Sequence, residues 1–563
     1  MSARRAAVTA MVGALLVVLL TACAGLPVSG PVTAGGPIAD DDRAQPDFSF
    51  VPDGPSPEAT PEQIVEGFIL AASGSRDNWR IAREFLATDY QDQWQPGTGV
   101  IVYTPGTRSA VRRAGEAEFE LTVTTEATVD ASGVYTVASD RDVSLSYRLA
   151  EDDDGQWRIT AAPDGIVLDA NRFASVFAAY SLMFFDPSGE YLVPDVRWFP
   201  VTNSATSIAV ALVDGGPSPA LADAVRTAFT DAARLERSAV PERSGVAEVA
   251  LQSGALDLDQ RVLDRMQTQL TASLATAGVQ GVEMVVDGAL LPATGVQTRS
   301  TRVDSRALVS AGGEFGFLSV DEVEPIGELS AAVSAHEPTA VEIDAEGRDA
   351  AVRTADGTVV RVSADGGQTW QLDDRPGLIP PTLDTWGWVW SVPTDDPAAV
   401  VAYDAAGAPR RVEGAWPGAT RIAAMRVSRD GARVAALVRD GERYAVWVSA
   451  IARDDEGAPV ELGDRTVMAT LDGDGVALSW LGSSRVVAVT MTDSEAVVTE
   501  QGFGGTGDRW RVPAEVVAVA GGNQTGSVRL LTATGDLYQQ VSGSWSLEKA
   551  EVSVLGMPRG LPR

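Results

Sequence analysis

The chain is 563 residues long, with 44 basic against 77 acidic side chains and a formal net charge of −33. So acidic a surface repels polyanions, which excludes nucleic acid and an anionic lipid surface as partners held by charge. One cysteine and one histidine exclude an intrachain disulfide and a multi-histidine metal site, so the length must be organised as several domains stabilised by ordinary apolar cores.

The first element is a leader. Arg4 and Arg5 precede the apolar stretch Ala6 to Leu20, and a core of about fifteen residues is shorter than the roughly twenty a membrane-spanning helix needs. It closes on Leu20-Thr21-Ala22-Cys23, which resembles a bacterial lipobox. The thiol of Cys23 is nucleophilic enough to take diacylglycerol, and cleavage between Ala22 and Cys23 would leave an N-acylated, lipidated cysteine at the new N-terminus. Two or more acyl chains, at roughly 0.8 kcal/mol per buried methylene, anchor a protein stably. The reading is a signal peptide over 1–22, a lipid-anchored linker rich in Gly, Pro, Ala and Asp over 23–59, and folded domains on the extracytoplasmic face of the cell membrane.

Order begins at Thr60-Pro61-Glu62-Gln63, an N-cap with proline at the first helical position and a glutamine able to complete a capping box. The stripe Ile64, Val65, Phe68, Ile69, Ala72 predicts a helix that stops at Gly74, and a second starts near Asp77 and carries Trp79, Ile81, Ala82, Phe85 and Leu86. The period then changes to two, at Val100 and Val102, Phe119 to Val123, Val143 to Leu149, and Trp157 with Ile159. Glu151-Asp152-Asp153-Asp154-Gly155 reads as a solvated hairpin turn. Two helices on a curved antiparallel sheet, over 60–175, resemble the NTF2-like cone.

The next unit, 176–300, alternates sheet and helix. Strands are predicted over Tyr180 to Phe185, Val193 to Val201, Val246 to Leu251 and Val282 to Val286, and Ile208 to Val213 follows the second of these. Helices are predicted from a Ser218 cap and Pro219 through Leu221, Val225, Ala228 and Phe229, and through Val262, Leu263, Met266, Leu270 and Leu274 to Gly278. This makes a second α+β domain.

From about residue 300 to 563 helical periodicity disappears. Turns at Gly313, Gly347, Asp396-Pro397, Asp430-Gly431, Gly482 and Gly526 recur about every 45 residues, the size of a four-stranded propeller blade, so a β-propeller of about six blades is expected. One hairpin, Ser363-Ala364-Asp365-Gly366-Gly367-Gln368-Thr369-Trp370, matches the Asp-box pattern carried by Ser363, Asp365, Gly367, Thr369 and Trp370. There the aspartate is expected to accept turn amides, Gly367 to take a positive φ and Trp370 to pack beneath. The motif is structural and says nothing of glycoside chemistry.

Catalytic patterns are poor. His336 lies in a loop-like context without a Gly-x-Ser-x-Gly elbow. Gly502 to Gly507 spells Gly-x-Gly-x-x-Gly, but β-like sequence follows it instead of a helix. Asp472-Gly473-Asp474-Gly475 lacks the later carboxylates of a calcium loop. No catalytic residue, cofactor or metal site is assigned. One surface candidate remains: Trp386, Trp388 and Trp390 alternate, and a strand would place their indoles on one face, for blade packing or for a partner or glycan.

The lipobox, then Asp77-Asn78-Trp79 with Ala82-Arg83-Glu84-Phe85-Leu86, then Phe184 to Gly189 with Leu192 to Trp198 and Gly216-Pro217-Ser218-Pro219, then a propeller, resembles the actinobacterial LpqB lipoprotein family along essentially the whole chain. The resemblance implies that the second domain is of the GerMN type. It further implies a non-enzymatic accessory of the Mtr two-component system, binding the ectodomain of its sensor histidine kinase and modulating signalling in cell-envelope homeostasis, division and drug tolerance. A lipoprotein that binds cell-wall glycan, and a propeller glycosidase, stay open as alternatives.

Overall fold

The computed structural model describes residues 52–320, 322–493, 495–505 and 507–562; Ala22 and Cys23 lie outside them. The described part is multidomain and mostly β, with few helices.

The N-terminal unit starts as its residues dictate. Helix Pro61–Ala71 carries the full capping box, with Gln63 N–H donating to Thr60 Oγ1 and Thr60 N–H to Gln63 Oε1 at 2.9 Å, and it buries Ile64, Val65, Phe68 and Ile69. The second helix, Arg76–Arg83, departs from expectation. Asp77, Asn78 and Trp79 have φ of 50°, 57° and 56°, a left-handed turn that Asp and Asn tolerate better than other side chains. Trp79 is fixed there by its indole N–H, which donates to Ala72 O at 3.0 Å. Phe85 and Leu86 therefore fall beyond the helix, where Leu86 bridges to Ile159 at the edge of the sheet.

That sheet runs Trp157–Ala161, Tyr135–Glu151, Glu118–Asp130, Gly99–Tyr103, Ile166–Asp169, antiparallel except for the last pair. Phe119, Leu121, Val123, Ala127 and Val129 alternate onto its buried face. Strand Ile166–Asp169 and the short helix Ala170–Val176 that follows it, capped by Asp169, carry too little periodicity to be foreseen.

In the second unit the hairpin Phe177–Phe185 with Leu192–Pro200 packs on helix Gln260–Ala275, and Val246–Ala250 pairs in parallel with Gly281–Val286. The helix expected from Pro219 is absent. Ser218 does not cap; its own N–H donates to Asp195 Oδ2 at 2.7 Å. Arg226 is drawn onto the hairpin edge by a reciprocal pair of backbone bonds with Phe185, leaving only a short turn at Ala222–Ala224. Leu221, Val225 and Phe229 are buried all the same, so the apolar spacing reported burial and not helix. Helix appears earlier, at Ser204–Val210 and on through Ala211–Gly215.

Beyond residue 307 the strands fall into successive antiparallel groups. The first combines Leu308–Ala311, Glu314–Ser319 and Glu322–Glu324 with the last strand of the chain, Val552–Pro558. The groups 338–373, 382–411, 421–471, 474–512 and 516–549 follow in order. Val552–Pro558 also runs parallel to Pro338–Ile343, pairing Glu342 with Met557. Helix is not wholly absent here: Gly327–Ser334 packs Leu329 and Val333 into the apolar core around Val341 and Val352.

Candidate functional site

The rigid framework of the site is a repeated turn. In Asp130-Ala-Ser-Gly133, Asp152-Asp-Asp-Gly155, Asp344-Ala-Glu-Gly347, Asp384-Thr-Trp-Gly387, Asp404-Ala-Ala-Gly407 and Asp454-Asp-Glu-Gly457 the glycine N–H donates to the aspartate carbonyl and the glycine φ is positive. In each, the carboxylate accepts two further amides of its own turn. Such a turn satisfies its own backbone and needs no partner from outside.

Two of these turns, at Asp344 and Asp384, line a cavity of about 740 Å³ where the second unit meets the propeller. Tyr191 and Arg299 reach it from the second unit, and Arg348, Asp349, Arg361, Trp386 and Arg559 from the propeller. Its charges are mostly matched in pairs. Arg299 meets Glu346 at 2.5 Å and stacks over Tyr191, Arg361 meets Asp349 at 2.7 Å, and Arg559 meets Glu342 at 3.2 Å. Burial raises the Asp344 carboxyl above its ordinary range, against the two amides it accepts, and the negative charges of Asp349 and Glu346 add to the rise. Burial also raises the Tyr191 phenol, against the pull of Arg299 and Arg559.

The expected tryptophan face does not form. The Asp384 turn interrupts the segment, so Trp386 sits in the turn and strand begins only at Val389–Ser391. Trp390 is fully buried and donates its indole N–H to Asp384 Oδ2 at 3.0 Å, where Arg453 also binds at 2.8 Å. Trp388 is half-buried against the neighbouring core, and only Trp386 lines the cavity, with Arg453 over its ring. The Asp-box hairpin departs as well. Gly367 has the expected positive φ, but Asp365 is exposed and its carboxylate accepts no hydrogen bond from the described residues. The bond at this turn runs from the Asp365 N–H to Ser363 Oγ, and Trp370 is only half-buried. Neighbouring Gly366 is also left-handed; with two such residues the turn closes without the carboxylate. His336 Nε2 lies 3.0 Å from Thr369 Oγ1 on the surface of the same blade.

Along the propeller axis Arg426, Arg429, Arg559 and Glu342 surround a cavity of about 30 Å³. Their guanidinium groups are turned mainly on backbone carbonyls: Arg429 donates to Trp480 O, Gly521 O and Gly522 O, and Arg559 to Val427 O and Ser428 O. Burial, and then the neighbouring Arg559, pull Arg429 down to about 9.

A third feature was invisible in the sequence. Trp198 packs at 5.5 Å from Tyr135 and 5.0 Å from Phe173, and its backbone N–H donates to Gly133 O at 2.7 Å. Arg197, paired with Asp195 at 2.7 Å, donates to Ser132 O. From the propeller, Gly504 approaches so closely that a Cβ there would lie 2.5 Å from Trp198 Nε1 and 2.9 Å from Tyr135 Cβ. The glycine-rich loop is thus a packing surface, and strand Asp508–Val512 follows it. The three units interlock at this point. The Asp195-Val-Arg-Trp198 and Gly216-Pro-Ser218 segments are tied together at this junction, Arg197 donating to Gly216 O and the Ser218 N–H to Asp195.

Three family descriptions match in the same order: "Lipoprotein LpqB, N-terminal domain" over 54–174, "Sporulation and spore germination" over 181–292 and "Lipoprotein LpqB beta-propeller domain" over 313–556. A protein of Nocardia farcinica described as "Lipoprotein LpqB" is 27% identical over 94% of this chain and 92% of its own. Another of that description from Bifidobacterium longum is 27% identical over 96% of both chains, and one from Mycolicibacterium smegmatis is 25% identical over 97% of both. Fold and matched segments together define a multidomain lipoprotein ending in a β-propeller. The chain belongs to the LpqB lipoprotein family.

Proposed function

We propose that the chain is a non-enzymatic accessory, anchored through lipid on Cys23 to the extracytoplasmic face of the cell membrane, that binds the ectodomain of a sensor histidine kinase and tunes its signalling in envelope homeostasis. In this reading residues 60–175 form an NTF2-like cone, 176–300 a GerMN domain and 301–563 a propeller of about six blades. The observation that carries it is the interlocking of three units around Trp198 and Arg197. A body welded in this way presents one fixed surface, which suits a scaffold held beside a membrane receptor; tethering two partners to one surface raises their effective concentration to the millimolar range. The glycosidase alternative is disfavoured by the propeller axis, where the arginines are spent on carbonyls around a space too small for a sugar ring. Crosslinking in intact cells, followed by identification of the captured membrane protein, tests the reading. Recovery of a sensor kinase is expected; repeated capture of the chain alone would refute it.

A further inference from the structure

The axis of the propeller holds more positive charge than its own residues balance. Arg426, Arg429 and Arg559 surround the small cavity there, and Glu342 is the one carboxylate that lines it among the described residues. All four are no more than 6% exposed. Three cations against one anion leave two positive charges withdrawn from water, and a buried charge without a counter-charge is strongly destabilising. Backbone carbonyls take up part of the guanidinium N–H groups: Arg426 donates to Pro380 O, Pro381 O and Met425 O, as Arg429 and Arg559 do to the carbonyls named above. The Nε–H groups of Arg426 and Arg559 stay unmatched, buried with no acceptor among the described residues. Burial lowers both Arg426 and Arg429; Glu342 opposes the fall and Arg559 adds to it.

We propose that this cavity binds a chloride ion as part of the propeller. The ion accepts the Nε–H groups of Arg426 and Arg559 and neutralises one of the two surplus charges. A guanidinium is weakly hydrated, so it exchanges water readily for an anion of low charge density. The volume, about 30 Å³, equals the share of one water molecule in the liquid, which admits a monatomic ion and excludes phosphate, sulfate or a carboxylate. One water would take up the same N–H groups, but it is neutral and both charges would remain. Glu342 Oε2, 4.0 Å from Arg426 Nε, is also unpartnered and repels the ion, but its charge is outnumbered by the three guanidinium groups. The lining comes from four strand groups, at Glu342, Val427, Ser479 and Ala520, and from Arg559 just after the closing strand. An ion here pins together parts that no single hairpin connects. The proposal is independent of any kinase contact.

The test uses the full chain in non-ionic detergent micelles, dialysed into gluconate and unfolded thermally while chloride or bromide replaces gluconate at fixed ionic strength. The unfolding midpoint is expected to climb with chloride. Above the dissociation constant, each tenfold increase in chloride should raise the ratio of folded to unfolded chain about tenfold, the signature of one ion released on unfolding. Arg426→Met removes one cation and one unmatched donor and should abolish this dependence, whatever its effect on the midpoint in gluconate. Glu342→Gln keeps the acceptor used by Thr382 and Leu383 while removing the repelling charge, so its dependence should persist and begin at lower chloride. Crystals soaked in bromide should show an anomalous peak between Arg426 and Arg559. A midpoint unmoved by chloride overturns the proposal, as does the same chloride dependence in Arg426→Met. Bromide confined to the surface, with a water at the axis, would also overturn it.

Discussion

At the scale of single residues, the aspartate turns carry the stability that the sequence pattern assigned elsewhere. Asp404 accepts the amides of Ala406 and Ala408, whereas Asp365 of the Asp-box hairpin accepts none among the described residues. Asp404→Ala should therefore lower the unfolding free energy by about 1–2 kcal/mol and Asp365→Ala by less than about 0.5 kcal/mol, read from chemical denaturation of the two variants side by side. A larger loss at Asp365 would restore the expected role of that carboxylate. The recurrence of Asp-x-x-Gly was legible and went unused, because each copy looks like an ordinary polar loop until its amides are counted.

The same scale carries a pH dependence. Burial, with Glu126 adding to it, raises the Tyr135 phenol from its ordinary 10 to about 12. Between pH 10 and 12 the folded chain keeps a proton that the unfolded chain has lost, so the stability from this group is full below pH 10 and declines as pH rises through that window. Tyr147 and Tyr403 are raised as well and share the decline. Tyr135→Phe should reduce the proton release on unfolding at pH 11 by close to one proton, measured by calorimetry in buffers of different ionisation enthalpy. An unchanged proton count would show that Tyr135 titrates normally.

At the scale of elements, sequence pattern succeeded where burial and local geometry agree. The capping box at Thr60 and the stripe of Ile64, Val65 and Phe68 serve one helix and were read correctly. The run Leu221, Val225, Phe229 is equally periodic, but tertiary bonds to Asp195 and Phe185 competed with the helix and won. The alternating tryptophans failed for a similar reason, since the Asp384 turn falls inside the run. The glycine-rich loop shows the converse: a stretch that codes for nothing local is required by a distant contact. Gly504→Ala, with φ of 81° and Trp198 in the way, should lower stability by roughly 2–4 kcal/mol, while Gly418→Ala, at φ of 87° facing open space, should cost only the roughly 1 kcal/mol of backbone strain. Equal losses in thermal unfolding would mean that the junction yields freely.

At the scale of the whole molecule, the proposed lipid anchor and the interlock of the domains would act together. Cys23→Ser should move the protein from the membrane to the soluble extracytoplasmic fraction, followed by cell fractionation and acyl labelling; a variant that stays with the membrane and keeps its label would remove the anchor from the account. The domain order along the chain was readable from changes of hydrophobic period, and the six turn signals marked the propeller region. The welding of the units was not readable, because Tyr135, Trp198 and Gly504 lie far apart in sequence and each looks unremarkable alone.

The strand Val552–Pro558, which completes the first propeller group by pairing with Leu308–Ala311, bears on how the protein comes into being. A polypeptide emerges from the ribosome N-terminus first, so the first group waits for its missing strand until every other strand group of the propeller has been synthesised. Until then Leu308 and Val309 present an open strand edge, the kind of surface that proteases and chaperones detect. Products of a premature stop would be left with that edge unsealed and would be degraded. Only molecules that have made this strand would accumulate, so the amount of folded protein would track synthesis of Val552–Pro558 instead of message abundance.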